Sequence, residues 1–139
     1  NLDAGCLFYA ARRYGAYCRR LSDPWGTTVH MASRVSPIAD PANAVFSESA
    51  EKSHGSHGLT AFVAAKLGIH ADPIRMDGQG KYAVVGSGGA DIFFRLPRPG
   101  YREKIWDQAP GYLFIREAGG VVTDLEGNDL DFSLGRELR

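Results

Sequence analysis

Between Lys104 and Gly120 the chain reads Lys-Ile-Trp-Asp-Gln-Ala-Pro-Gly and then Tyr-Leu-Phe-Ile-Arg-Glu-Ala-Gly-Gly, and no other stretch limits the fold as tightly. Taken alone, the run Tyr112 to Ile115 fits a buried strand. Its flanks favour a helix. Asp107 is a good N-cap, Pro110 falls in a first turn where a missing N–H costs little, and Gly119 supplies a left-handed stop. The expected helix runs from about Gln108 to Ala118, with Val121-Val122-Thr123 restarting as a short strand.

The remaining elements follow the same logic. Gly5 to Ala11 is apolar and aromatic, ends at Arg12-Arg13-Tyr14-Gly15, and pairs in expectation with Ala16 to Leu21 as a hairpin. Thr27 to Val35 is rich in β-branched residues and follows the turn cluster Asp23-Pro24-Trp25-Gly26. A linker, Ser36 to Ala42, precedes the short apolar run Ala44-Val45-Phe46. Gly58 to Leu67 reads as a helix stopped by Gly68. Gly80 to Val85 fits helix or strand, Asp91 to Leu96 a strand, and Leu125 to Phe132 a polar hairpin or loop around Gly127-Asn128. Strands mixed with two helices give an α/β or α+β layered unit.

An apolar fraction of 44% supports a real core. The 16 basic and 16 acidic side chains cancel, which excludes a domain-wide field for a nucleic-acid polymer or an anionic membrane. A small anionic ligand needs only a local cluster of cations. No apolar run approaches the roughly 20 residues that span a bilayer. Cys6 and Cys18 match neither a zinc knuckle nor a C-x-x-C motif. Two bystander thiols in a reducing, cytoplasmic compartment are the expectation, with a single disulfide as the alternative. The opening Asn1-Leu2-Asp3 carries no initiator Met and no signal peptide, so the true N-terminus is expected to lie upstream.

An aspartate at the mouth of a helix either caps it, worth ~1 kcal/mol, or holds a divalent cation whose oxygen preference a carboxylate meets. Trp106 reads as core packing in either case. The order of the segment bears on this choice. W-D-x-A-x-G followed by Glu117-Ala118-Gly119-Gly120 resembles the C-terminal signature of the inositol monophosphatase superfamily of lithium-sensitive, Mg²⁺-dependent phosphatases. Tyr101 to Asp107, Ile92 to Pro97, Lys81-Tyr82 and Ser53-His54-Gly55-Ser56-His57 resemble the 3′(2′),5′-bisphosphate nucleotidases in particular. Leu7-Phe8 and Gly15-Ala16-Tyr17 resemble the hairpin that opens this family's C-terminal half; the likeness is weakest between Leu21 and Glu51.

The resemblance implies the C-terminal half of a layered α/β/α/β/α sandwich, with the N-terminal metal-binding subdomain outside residues 1–139. It implies that Asp107 ligates one catalytic Mg²⁺ and that His54, Lys81 and Arg95 contact the nucleotide. Without it, His54 reads as a loop histidine, Lys81 as a solvated lysine, and Arg95 as half of a buried ion pair within an apolar strand. Asp77-Gly78-Gln79-Gly80-Lys81 resembles a D-S-Q-x-K stretch whose serine would touch substrate, so Gly78 could contribute only its backbone. Gln108 and Pro110 replace the more usual His and Ala. The family's D-P-(I/L)-D-G-T motif is not in the chain; Asp23-Pro24-Trp25-Gly26-Thr27-Thr28 lacks its second aspartate and reads as a turn.

The implied activity is removal of the 3′-phosphate of adenosine 3′,5′-bisphosphate, and action on its sulfated analogue, linking the parent to sulfate assimilation. An inositol phosphate substrate and a non-catalytic nucleotide-binding module are the alternatives. The expected partners are that small phosphorylated substrate and the N-terminal half of the same enzyme. The chain alone is expected to be inactive, because two-metal hydrolysis needs more carboxylates than it holds.

Overall fold

The computed structural model describes residues 5–22, 31–51, 57–96 and 100–138. The expected hairpin forms: β1 (Cys6–Ala11) pairs antiparallel with β2 (Gly15–Arg20), and β2 with β3 (Met31–Ser33), in the order β1-β2-β3. The Asp23 to Thr28 turn lies outside the described residues, as does the first part of the Thr27 to Val35 run.

A second sheet is parallel and short. Its central strand β4 (Phe46–Glu48) is flanked by β5 (Ile74–Arg75) and β6 (Ile92–Phe93). Helix α1 (His57–Leu67) lies between β4 and β5 in the chain, and α2 (Gly80–Gly86) between β5 and β6. Parallel neighbours require such crossovers. The pleat sorts their side chains. Phe46 and Ile92 pack with Val63 and Ala64 of α1, whereas Phe93 and Ile74 pack with Tyr82 and Val85 of α2.

The third helix, α3 (Ile105–Glu117), packs on α2 and on β1 and β2. The layers therefore run first sheet, helix pair, second sheet, α1, which is the α/β layering expected. Two core clusters fill the space around α3, one centred on Tyr82, Val85 and Ile115, the other on Ala16, Phe114 and Ala118. Phe8 of β1 meets Phe114 edge to face, with ring centroids 5.7 Å apart.

Several boundaries differ from the sequence reading. Helix α3 starts at Ile105, and its N-cap is Lys104 in extended conformation, not Asp107. The cause is long-range: Lys104 bridges to Glu137, and Ile105 N–H donates to the Arg136 carbonyl at 3.1 Å. That pairing holds Lys104 extended and lets the helix begin directly after it. Asp107 is then in the first turn, and Pro110 is inside the helix, where the Trp106 carbonyl has no Pro110 N–H to accept.

Gly80 to Val85 resolves as helix, giving three α-helices among the described residues where two were expected. Strand β5 and a 3₁₀ turn at Pro41–Asn43 were not foreseen. Val121 to Thr123 is not a strand: Val121 is exposed, and the hydrogen bonding just beyond is local, around the Asp124 to Asn128 loop. Asp91 to Leu96 contracts to the two residues of β6, which leaves Arg95 just beyond the strand. Both cysteines are free thiols.

Candidate active site

Residues flagged by sequence gather where α2, the end of β6 and the start of α3 meet. Lys81 sits in the first turn of α2, and only 5% of it is exposed. It is not a solvated lysine. Tyr82 and Val85 of the same helix pack with Ile74 and Phe93 of the second sheet, which places this turn of α2 against the core. The Lys81 Nζ donates to the Met76 carbonyl at 3.3 Å and lies 5.6 Å from the centre of the Phe93 ring. Burial, and then the nearby Arg95 charge, push its pKa below the ordinary lysine value, with Asp77 opposing.

Arg95 follows β6, and its Nε donates to Glu103 Oε2 at 2.8 Å. The ion pair expected of a buried arginine is present, but a third of the arginine side chain remains exposed (34%). Burial works against the guanidinium charge. The Glu103 hydrogen bond and charge, with Tyr82 and Asp107 adding to them, hold its pKa above the usual arginine value.

Glu103 does more than pair with Arg95. The same Oε2 accepts from Gln108 Nε2 at 2.7 Å, and Gln108 Oε1 accepts from the Tyr82 hydroxyl. A carboxylate can only accept, which places the amide nitrogen of Gln108 toward Glu103 and its oxygen toward Tyr82. Tyr82 is therefore the donor, and burial, reinforced by Glu103 and Asp107 against Arg95, pushes its pKa up to about 12. These three partners were not anticipated as site residues. The Glu103 to Gln108 spacing was visible, but the meeting with Tyr82 and Arg95 depends on the tertiary fold.

Asp107 is half-buried at the head of α3, and Gln79 Nε2 donates to its backbone carbonyl at 2.7 Å. The positive end of the helix favours a negative charge there. A carboxylate oxygen suits Mg²⁺, so the residue fits the group the sequence implies. It fits as one ligand: among the described residues no three His, Cys, Asp or Glu side chains gather around a common point. Gly78 lies in an exposed turn at φ +57°, with open space around it. His54 lies outside the described residues; its neighbour His57 starts α1 and bonds to the Ser49 carbonyl at 2.9 Å.

Beside this cluster runs a cleft of about 980 Å³ lined by Tyr82, Phe94, Arg95, Tyr101, Glu103 and Gln108 among others. Phe94 and Tyr101 expose ring surface at its wall. A narrower, mainly apolar cleft of about 460 Å³ lies between β1, α2 and α3.

The second half of the Trp106 to Gly120 signature is structural. Glu117 accepts backbone N–H bonds from Arg13 and Gly15. Ala118 is buried, and its carbonyl accepts from Val35. Gly119, at φ +91°, ends α3 in a Schellman motif: its N–H donates to the Arg116 carbonyl, and that of Gly120 to the Ile115 carbonyl.

The model of the inositol monophosphatase family matches residues 4–138. The chain belongs to the inositol monophosphatase family. Among curated family members, a rice protein named 3′(2′),5′-bisphosphate nucleotidase is 45% identical over 136 residues, covering 98% of this chain and 37% of its own length. A protein of that name from Emericella nidulans is also 45% identical, covering 96% of this chain and 38% of its own. The chain thus spans little more than a third of these relatives. The solved inositol monophosphatase from Anabaena superposes with a TM-score of 0.68 at 19% identity, over 96% of this chain and 48% of that one. This likeness concerns the fold, and it covers half of the known architecture. No helix among the described residues is long and apolar enough to cross a membrane.

Proposed function

We propose that this chain is the C-terminal subdomain of a Mg²⁺-dependent phosphatase that removes the 3′-phosphate of adenosine 3′,5′-bisphosphate to give AMP, and acts likewise on the sulfated analogue. The observation that carries the reading is Lys81: a buried ammonium with a carbonyl and an aromatic ring for company, next to a second cation, Arg95. Burying a lysine that makes no ion pair among the described residues, with only the longer-range Asp77 charge to support it, is costly, and a phosphate arriving between two cations offsets that cost. The names of the rice and Emericella relatives support a nucleotide bisphosphate as the source of that phosphate. The exposed Phe94 and Tyr101 rings beside Arg95 are suited to a purine face.

In this reading Lys81 supplies a point charge to the substrate. Arg95 directs guanidinium N–H groups at a phosphate oxygen. The backbone at Gly78 lines the approach to α2, and His54 is a further substrate contact. Asp107 gives one oxygen to Mg²⁺, which when bound acts as Lewis acid and lowers the pKa of the attacking water. The remaining carboxylates come from the N-terminal subdomain.

The test compares phosphate release from adenosine 3′,5′-bisphosphate by the full-length parent and by residues 1–139, each with and without Mg²⁺. Release by the parent that requires Mg²⁺, with none from the isolated chain, is expected. Robust release by residues 1–139 alone would overturn the subdomain reading.

A further inference from the structure

We propose that Glu103 is a positioning residue that sets the phosphate-gripping geometry of Arg95 and, through Gln108 and Tyr82, keeps α2 in register with the head of α3. The inference rests on the reading above only in taking Arg95 as a phosphate contact. One Glu103 oxygen accepts from Arg95 Nε at 2.8 Å and from Gln108 Nε2 at 2.7 Å, and Gln108 in turn accepts from Tyr82.

Apart from Glu103 itself, each member of this chain of bonds adjoins or is a proposed site residue. Tyr82 follows Lys81, Gln108 follows Asp107, and Arg95 is itself one. Tyr82 is in α2, Gln108 in α3 and Arg95 just beyond β6, so no local geometry fixes their spacing. Glu103 joins Arg95 and Gln108 at a single oxygen, and Gln108 carries the link on to Tyr82. The printed contact engages Nε, and a guanidinium has further N–H donors on its Nη atoms with which a second oxyanion can pair.

Gln108 and Tyr82 are buried and Glu103 is largely so. Glu103 keeps 13% of its side chain exposed, Gln108 is 4% exposed and Tyr82 6%. The Glu103 backbone is also tied, its carbonyl accepting from Leu138 N–H at 2.9 Å. A buried network with every member satisfied holds one geometry.

The decisive experiment is a double-mutant cycle in the full-length protein, reading the Kd for inorganic phosphate by calorimetry. Glu103→Gln should weaken phosphate binding by roughly fivefold or more. In an Arg95→Ala background the same substitution should change Kd by less than about 1.5-fold. Glu103→Asp, which keeps the charge at shorter reach, should fall between wild type and Glu103→Gln, and it serves as the second variant if Glu103→Gln does not fold. Equal weakening in both backgrounds, or none in either, overturns the proposal. Hydrolysis of adenosine 3′,5′-bisphosphate by the wild type is read separately. Coupling without that hydrolysis would sink the substrate assignment and leave the positioning role standing.

Discussion

Glu117 Oε2 accepts the backbone N–H of Gly15 at 2.9 Å, fastening the last turn of α3 to the tip of the β1–β2 hairpin. Its other oxygen takes the N–H of Arg13, a residue at φ +70° that only a fixed turn holds there. Hydrogen bonds to a charged acceptor are stronger than neutral ones, and those from Arg13 and Gly15, in that order, lower the Glu117 pKa. A depressed folded-state pKa adds stability that is present above the unfolded glutamate pKa of about 4.3. That stability is lost as pH falls through the folded value. Glu117→Gln should therefore lower the Tm at neutral pH. The gap between variant and wild type should close on acidification, as followed by thermal melts from neutral to strongly acid pH.

Gly111 occupies the tightest contact between α2 and α3. A Cβ there would meet the Tyr82 ring at 2.2 Å, in a buried site with no room to retreat. Gly111→Ala should cost about 1–3 kcal/mol by overpacking, measured by urea unfolding. It should also disturb the Tyr82–Gln108 bond, because relief requires the ring to move.

Lys81 separates stability from function. Its folded pKa is lowered, chiefly by burial, so the unfolded chain binds its proton more tightly. Stability should rise with pH from the folded pKa up to the unfolded lysine value of about 10.4. Lys81→Met keeps the length of the side chain and removes the charge. It should unfold no more easily than wild type at pH 7 and lose that alkaline rise, while KM for the phosphorylated substrate increases by an order of magnitude or more.

Asp107 has two readings that its variant distinguishes. As a residue that only favours the helix dipole, Asp107→Asn would cost about 0.3–1 kcal/mol and leave turnover intact. As a metal ligand, the same change should reduce kcat of the full-length protein by at least about 100-fold and shift its Mg²⁺ dependence to higher concentration, with the Tm little changed.

The legible parts of the fold were those written in local chemistry. The hairpin from Cys6 to Arg20, the Gly68 stop after α1 and the Gly119 stop after α3 all follow from residues within a few positions of each other. The start of α3 was not legible, because Lys104 is held by Glu137, far along the chain. Nor was β5: the two residues Ile74 and Arg75 are a strand only because Ser47 and Glu48 lie beside them. Within the site, motif resemblance singled out Lys81, Arg95 and Asp107. The carboxylate that ties their surroundings together, Glu103, was missed because the fold brings Arg95 to it and joins Tyr82 to the same group through Gln108.

Whether Lys81 and Arg95 serve a nucleotide bisphosphate is tested most directly by kcat/KM of the full-length protein for adenosine 3′,5′-bisphosphate and for inositol monophosphate, measured side by side with Mg²⁺. A preference for the nucleotide of at least about 100-fold is predicted, equivalent to about 2.7 kcal/mol of transition-state discrimination. Equal rates, or a preference for inositol monophosphate, would contradict that role.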